Sequence, residues 1–155
     1  SEKKNRGILF YSQSAPLLPR RLLMFASYLF ASKGKKVSYI QLHSLFKCLK
    51  DKDFQVSQMA RRDLSLLLSS EVLCLENINL FERRFFTEED LLQYLYPLIQ
   101  SRNQNGKITF ACLSQDKTAS SLANSWFYKM DQQTSARESM ESIFEKKRIK
   151  DISLD

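Results

Sequence analysis

Val56-Ser57-Gln58-Met59-Ala60-Arg61-Arg62-Asp63-Leu64, continued by Leu67 and Leu68 and closed by Val72-Leu73-Cys74-Leu75, is the stretch on which the reading of the fold turns. Ala60, Leu64, Leu67 and Leu68 recur at i, i+4, i+7 and i+8, the spacing of a helix with one apolar face. Ser57 is a good N-cap for it, and it is expected to run to about Ser70. The opposite face then holds Gln58, Arg61, Arg62, Ser65 and Ser69. Arginine can donate two parallel hydrogen bonds to guanine, and glutamine can bind adenine in the same two-pronged way. A helix with such a face is suited to the major groove, its N-terminal half leading.

Two further helices precede it. The first is expected from Pro19 to Ser32, with Leu22, Phe25, Ala26 and Leu29 inward, and is stopped by Lys33-Gly34-Lys35-Lys36. After an extended link at Val37-Ser38, Ser38 caps a second helix from Tyr39 to Leu49, with Tyr39, Leu42, Phe46 and Leu49 on one face. Downstream, Val72 to Leu75 reads as a strand that turns at Asn77-Ile78-Asn79 and returns through Leu80 to Phe86. A fourth helix is expected from Glu88 to Arg102, then a turn at Asn103 to Gly106 and a strand from Lys107 to Leu113. From Thr118 onward the pattern is helical, with a break near Asp131 to Thr134. Gly7 to Tyr11 can be a short extended segment. Three Gly and three Pro are few, which argues against sandwiches, barrels and α/β folds with their many tight turns and phosphate loops. The expected class is mostly α with a small β-hairpin or sheet: a winged helix-turn-helix over 18–113, after a flexible or extended segment (1–17) and before a C-terminal helical arm (114–155).

The quoted stretch resembles the recognition helix of DeoR-type bacterial winged-helix regulators, whose pattern is roughly V-S-x-x-T-I-R-R-D-L-x-x-L-x-x-x-G-L. The likeness covers about Lys35 to Asn77, with Glu71 at the pattern's glycine and one residue fewer between the serine and the arginine pair. It implies duplex DNA as the partner and transcription regulation, or an accessory role in replication, partition or transfer of DNA. Ser57, Gln58, Arg61, Arg62 and Ser65 are the candidate readers. Arg20, Arg21, Lys33, Lys35, Lys36, Arg83 and Arg84 are the candidate backbone grips, because cations at such positions hold phosphates and fix orientation. The alternative is a winged helix that docks protein as a subunit of a larger complex.

Charge supports a polyanion partner. The net charge is +7, but residues 1–50 alone carry +9, residues 51–100 carry −4 and residues 101–155 carry +2. Trp126, Met130, Ile143 and Phe144 form an apolar arm that could pair with its symmetry mate in a homodimer, or fold back on its own domain. No enzyme chemistry is expected. His43 is the only histidine, Cys48, Cys74 and Cys112 lie far from metal-ligand spacing, and neither G-x-x-x-x-G-K-[ST] nor G-x-G-x-x-G occurs. No cofactor or metal is therefore expected, and the cysteines are expected to be buried thiols of a reducing compartment. The run from Leu22 to Ala31 starts late for a signal peptide and has no A-x-A site after it, so a cytoplasmic, nucleoid-associated protein with no membrane partner is expected. A chain starting at Ser1 is expected to be processed or cut from a longer one.

Overall fold

The computed structural model describes residues 7–11, 17–76, 88–112 and 144–148. Its centre is a five-stranded sheet built from β1 (Gly7–Tyr11), β2 (Val37–Gln41), β3 (Val72–Glu76), β4 (Ile108–Cys112) and β5 (Phe144–Arg148). The order across the sheet is β2-β3-β4-β1-β5, and every neighbouring pair is parallel. The helices are α1 (Leu18–Ser32), α2 (Leu42–Leu49), α3 (Phe54–Ser69), a short α4 (Glu88–Asp90) and α5 (Tyr96–Gln104), with a π-helical segment, Leu91–Leu95, between the last two.

This is an α/β fold, and it overturns the winged helix-turn-helix expected from the sequence. Parallel neighbours need a crossover between them, usually a helix, whereas a wing is an antiparallel hairpin. Val72 does start a strand, but that strand pairs with β2 and β4, both in parallel. The expected return strand, Leu80 to Phe86, lies outside the described residues. So does most of the C-terminal arm, except that Phe144 opens a strand, β5, beside β1. The sheet thus draws strands from all three stretches into which the sequence was divided.

β1, β3 and β4, in the middle of the sheet, are mostly apolar runs because both faces are covered there, as parallel sheets require. All five residues of β3 are buried, from Val72 to Glu76. On one face Leu23 of α1 packs into Val72, Cys74, Phe110 and Cys112, with Ile8, Phe10, Ala26 and Phe30 around them. On the other, α5 packs against β4 and α3 packs against α5. Helix α1 is turned from its expected setting: Leu23 is fully buried, while Phe25 and Leu29 of the expected inner stripe face outward. Tyr39 and Ser38 are strand residues; α2 begins only at Leu42. Helix α3 begins at Phe54 with Asp53 as N-cap, its carboxylate accepting from the Gln55 amide at 2.9 Å, so Ser57 lies inside the helix and does not cap it. Its inward residues Ala60 and Leu67 are as the periodicity predicts.

Among the described residues two glycines turn the chain from a helix toward a strand. Gly34 (φ 80°) ends α1 and Gly106 (φ 68°) ends α5, each in the left-handed conformation that closes a helix and sends the chain into the next strand. In the last turn of α5, Arg102 is buried to 1% exposure. Its guanidinium donates to the carbonyls of Leu67 (2.6 Å), Ser70 (2.6 Å) and Ile108 (2.7 Å) and to Thr109 Oγ1 (3.0 Å). One side chain thereby satisfies the open carbonyl end of α3 and ties it to the start of β4.

Candidate functional site

Strand order decides where a site can lie. From β1 the chain crosses by α1 to the far edge, β2, and then returns one strand at a time through β3 to β4. Right-handed crossovers put α1 on one face and the returning helices on the other. The direction of winding reverses between β1 and β4, and in open α/β sheets ligands bind in the crevice at the carboxyl ends of the strands at such a point. Around it stand the ends of β1, β3 and β4 and the first turn of α1.

That first turn brings Arg20 over the end of β3. Its Nε donates to Glu76 Oε1 at 2.9 Å; the arginine is half exposed and the glutamate side chain only 7% exposed. Gln41, opposite Glu76 in the β2–β3 register, donates from Nε2 to the same oxygen at 3.3 Å. Tyr39, two residues earlier on the same face, stands beside Glu76 and Arg20. Burial pushes the Tyr39 phenol well above its ordinary range, and the adjoining Glu76 carboxylate pushes it further. The result is one buried carboxylate with an arginine and an amide directed at the same oxygen and a phenol beside them. Beneath it lies Cys74, whose thiol is pushed up to about 12 by burial and by neighbouring Cys112.

The residues expected to read DNA are placed apart from this cluster. Arg61, Arg62 and Ser65 are exposed on the outer side of α3, as the periodicity predicts, and Ser57 and Gln58 are half-buried in its first turns. The Ser65 hydroxyl donates back to Arg61 O at 3.3 Å and Ser57 to Phe54 O at 3.1 Å. In this fold α3 is a crossover between two parallel strands, with no wing after it among the described residues. The basic N-terminal block is also divided. Arg20 and Arg21 start α1 at the carboxyl end of the sheet, and Lys33, Lys35 and Lys36 follow its other end, about 22 Å away for 15 residues of helix. Lys35 faces Glu71 at 3.9 Å. Arg83, Arg84, Trp126, Met130 and Ile143 lie outside the described residues. Cys48 is exposed, against the expectation of three buried thiols, whereas Cys74 and Cys112 are buried. No helix among the described residues is long and apolar enough to cross a membrane.

Comparison with solved structures agrees with the sheet. The chain superposes on DnaI with a TM-score of 0.67 at 16% identity, over 98% of this chain and 74% of that one. It superposes on the DnaC helicase loader with a TM-score of 0.60 at 18% identity, over 97% and 82%. A replication initiator, DnaA bound to AMPPCP and single-stranded DNA, gives 0.57 at 12% identity, over 72% and 33%. The chain has the fold of these replication proteins. It spans about a third of the length of the DnaA chain. No family model and no curated protein matches the sequence.

With that fold, the expected winged helix and transcription regulation both fall. A nucleotide, such as the one in the DnaA structure, also finds little to hold it here. In phosphate-binding loops glycine-rich backbone and a lysine cradle the phosphates, and a hydroxyl at the start of the next helix holds Mg²⁺ together with an acid from a strand. Between β1 and α1 this chain has Ser-Gln-Ser-Ala-Pro-Leu (12–17), with no glycine and no lysine. Where the cation would meet the strand acid, the Arg20 guanidinium sits on Glu76. The residues present do not fit a magnesium nucleotide. The Arg20–Glu76 pair was missed in the sequence because its members lie far apart and only the α1–β3 packing joins them. The one local signal was Glu76 closing an apolar run.

Proposed function

We propose that this protein serves DNA replication by binding rather than by nucleotide turnover: a non-hydrolysing relative, in fold, of initiators and helicase loaders, acting in the cytoplasm. The observation that carries the proposal is the Arg20–Glu76 ion pair, which fills with protein charge the place where a metal ion and phosphate would need that carboxylate free. The shared fold with DnaI, DnaC and DnaA supports the replication context. The net charge of +7, with cations at both ends of α1, supports DNA as a partner alongside protein.

Titration with a fluorescent ATP analogue and Mg²⁺ tests the first half. No binding at millimolar nucleotide and no phosphate release are expected; micromolar binding would overturn the reading. The second half is tested by binding to single-stranded and duplex oligonucleotides over a salt series. A falling affinity with a slope of a few phosphate contacts is expected. Absence of binding to both at low salt removes DNA and leaves the protein partner. The duplex preference and the homodimer drawn from the sequence are decided by the same titration and by sedimentation.

A further inference from the structure

Helix α1 has more apolar surface than the sheet uses. Its inward line is Pro19, Leu23, Ala26 and Phe30, of which Leu23 reaches 0% exposure. Diametrically opposite runs a second line: Leu17, Met24, Phe25 and Tyr28, 59%, 51%, 62% and 74% exposed. With Arg21 between them, these residues fall at i, i+4, i+7, i+8 and i+11, which is the anchor spacing by which a helix lays one face along a partner. Scattered exposed apolar residues need no explanation, but a continuous line of large ones along a whole helix marks an interaction surface.

Charge selects the occupant. Helix α1 holds no acidic residue, Arg21 sits within the line, and Lys33 and Lys36 are exposed beyond its end. A second copy of the chain docking α1 on α1 would bring arginine and lysine together in either direction, so the face is poorly matched to itself. It matches an apolar line flanked by carboxylates. The aliphatic Leu17 and Met24 favour a protein over a single strand of nucleic acid, whose bases stack on rings and whose backbone needs cations along the line, not only within and beyond it.

We infer that the outer face of α1 is a docking site for an amphipathic helix of a partner protein, with leucine or phenylalanine along its centre and glutamate or aspartate at its rims. The inference goes beyond the nucleotide reading and stands on different residues, so either can fail alone. Packing rings and thioether against such a helix would exclude water, and Arg21 within the line would set its register through charge.

The test uses the full chain and a synthetic helical peptide with a Leu/Phe line and glutamate flanks, followed by fluorescence anisotropy. Micromolar binding is expected. Phe25→Ser with Tyr28→Ser should weaken it at least about ten-fold, as loss of central aromatic anchors does. Arg21→Glu should weaken it about three- to ten-fold, and the same peptide with lysine flanks should bind correspondingly less. Circular dichroism and melting should be nearly unchanged in all variants, since these side chains face outward. Equal binding of glutamate and lysine peptides overturns the charge argument, and no binding of either overturns the site. If the serine pair unfolds the chain, the face is core and the proposal fails; Arg21→Glu reads the site independently. Self-association abolished by the serine pair, or binding to poly(dT) or to anionic phosphatidylserine vesicles that the pair abolishes while the peptide does not bind, replaces the protein helix with that occupant.

Discussion

Arg102 and Arg20 stand at opposite ends of the same sheet and are used in opposite ways. Arg102, at the amino end, gives its hydrogen bonds to three backbone carbonyls and a threonine, is almost wholly buried and faces no carboxylate in any of those bonds. Arg20, at the carboxyl end, is half exposed and bonds a side chain. Burial holds the Arg102 guanidinium below its ordinary value, at about 10, so it stays charged near neutrality. A cation bonded to backbone is part of the architecture, because it joins the carbonyl end of α3 to the start of β4. A cation bonded to one carboxylate at a winding reversal is replaceable, and in open α/β sheets that place is one where chemistry differs between proteins while the sheet stays the same.

The largest effect should therefore come from Arg102. Arg102→Ala removes the buried donors that the Leu67, Ser70 and Ile108 carbonyls share and empties the space of a large side chain, and should cost about 3–5 kcal/mol by urea unfolding. Arg102→Lys should recover part of that, since an ammonium cannot span the same fork. If Arg102→Ala costs no more than a change at Arg20, the contrast between the two ends is wrong.

Glu76→Gln comes next. Gln41 keeps a partner, the charge is lost, and Arg20 can reach water, so a cost of about 1–2 kcal/mol is expected, discounted for the exposure of Arg20. A double-mutant cycle with Arg20→Ala should give a coupling of about 1 kcal/mol. A coupling near zero would mean that the pair does not close the carboxyl end.

The third prediction concerns alkali. Cys74 and Tyr39 both have folded values above their unfolded ones, from 9.0 to about 12 for the thiol and upward from 10.0 for the phenol. Above pH 9 the unfolded chain gives up protons that the folded chain keeps, so stability should be complete below pH 9 and fall as pH rises toward 12. Melting temperature against pH should show this fall, and Cys74→Ala should make it shallower. An unchanged slope in Cys74→Ala assigns the alkaline loss elsewhere.

The smallest effects should come from α3. Arg61→Ala and Arg62→Ala should each change stability by no more than about 0.5 kcal/mol, because both side chains are exposed. A larger loss by thermal melting would place them in the packing and undo the assigned face.

How much of this was legible differs element by element. The inward and outward sides of α3 follow from the period of Ala60, Leu64 and Leu67, because one face of that helix is polar. The rotation of α1 was not legible, because it is apolar on two opposite sides and periodicity cannot say which one the sheet takes. GILFY, VLCL and ITFAC read as strands for the reason that they are buried on both faces, but nothing local states that their neighbours are parallel or in which order they lie. β2 was hidden: no glycine or proline separates it from α2, and Tyr39 happens to stand in helical phase with Leu42, Phe46 and Leu49. The scarcity of glycine misled most. It counts against a phosphate loop, whose motif this sequence lacks, but not against an α/β sheet, in which Gly34 and Gly106 are the left-handed glycines among the described residues.

β1 is flanked by β4 and β5, so Gly7 meets Thr109 on one side and Phe144 on the other. During synthesis, Gly7-Ile8-Leu9-Phe10 leaves the ribosome before the other four strands and has neither strand neighbour until β4 has been made, while β2 and β3 can join over a much shorter loop. An unpaired apolar strand is a template for the wrong partner. Any chain that stops before residue 108 should therefore reach solution with that strand unprotected and be prone to aggregate, and the order of chain growth, rather than the strength of the finished sheet, sets when this protein is most vulnerable.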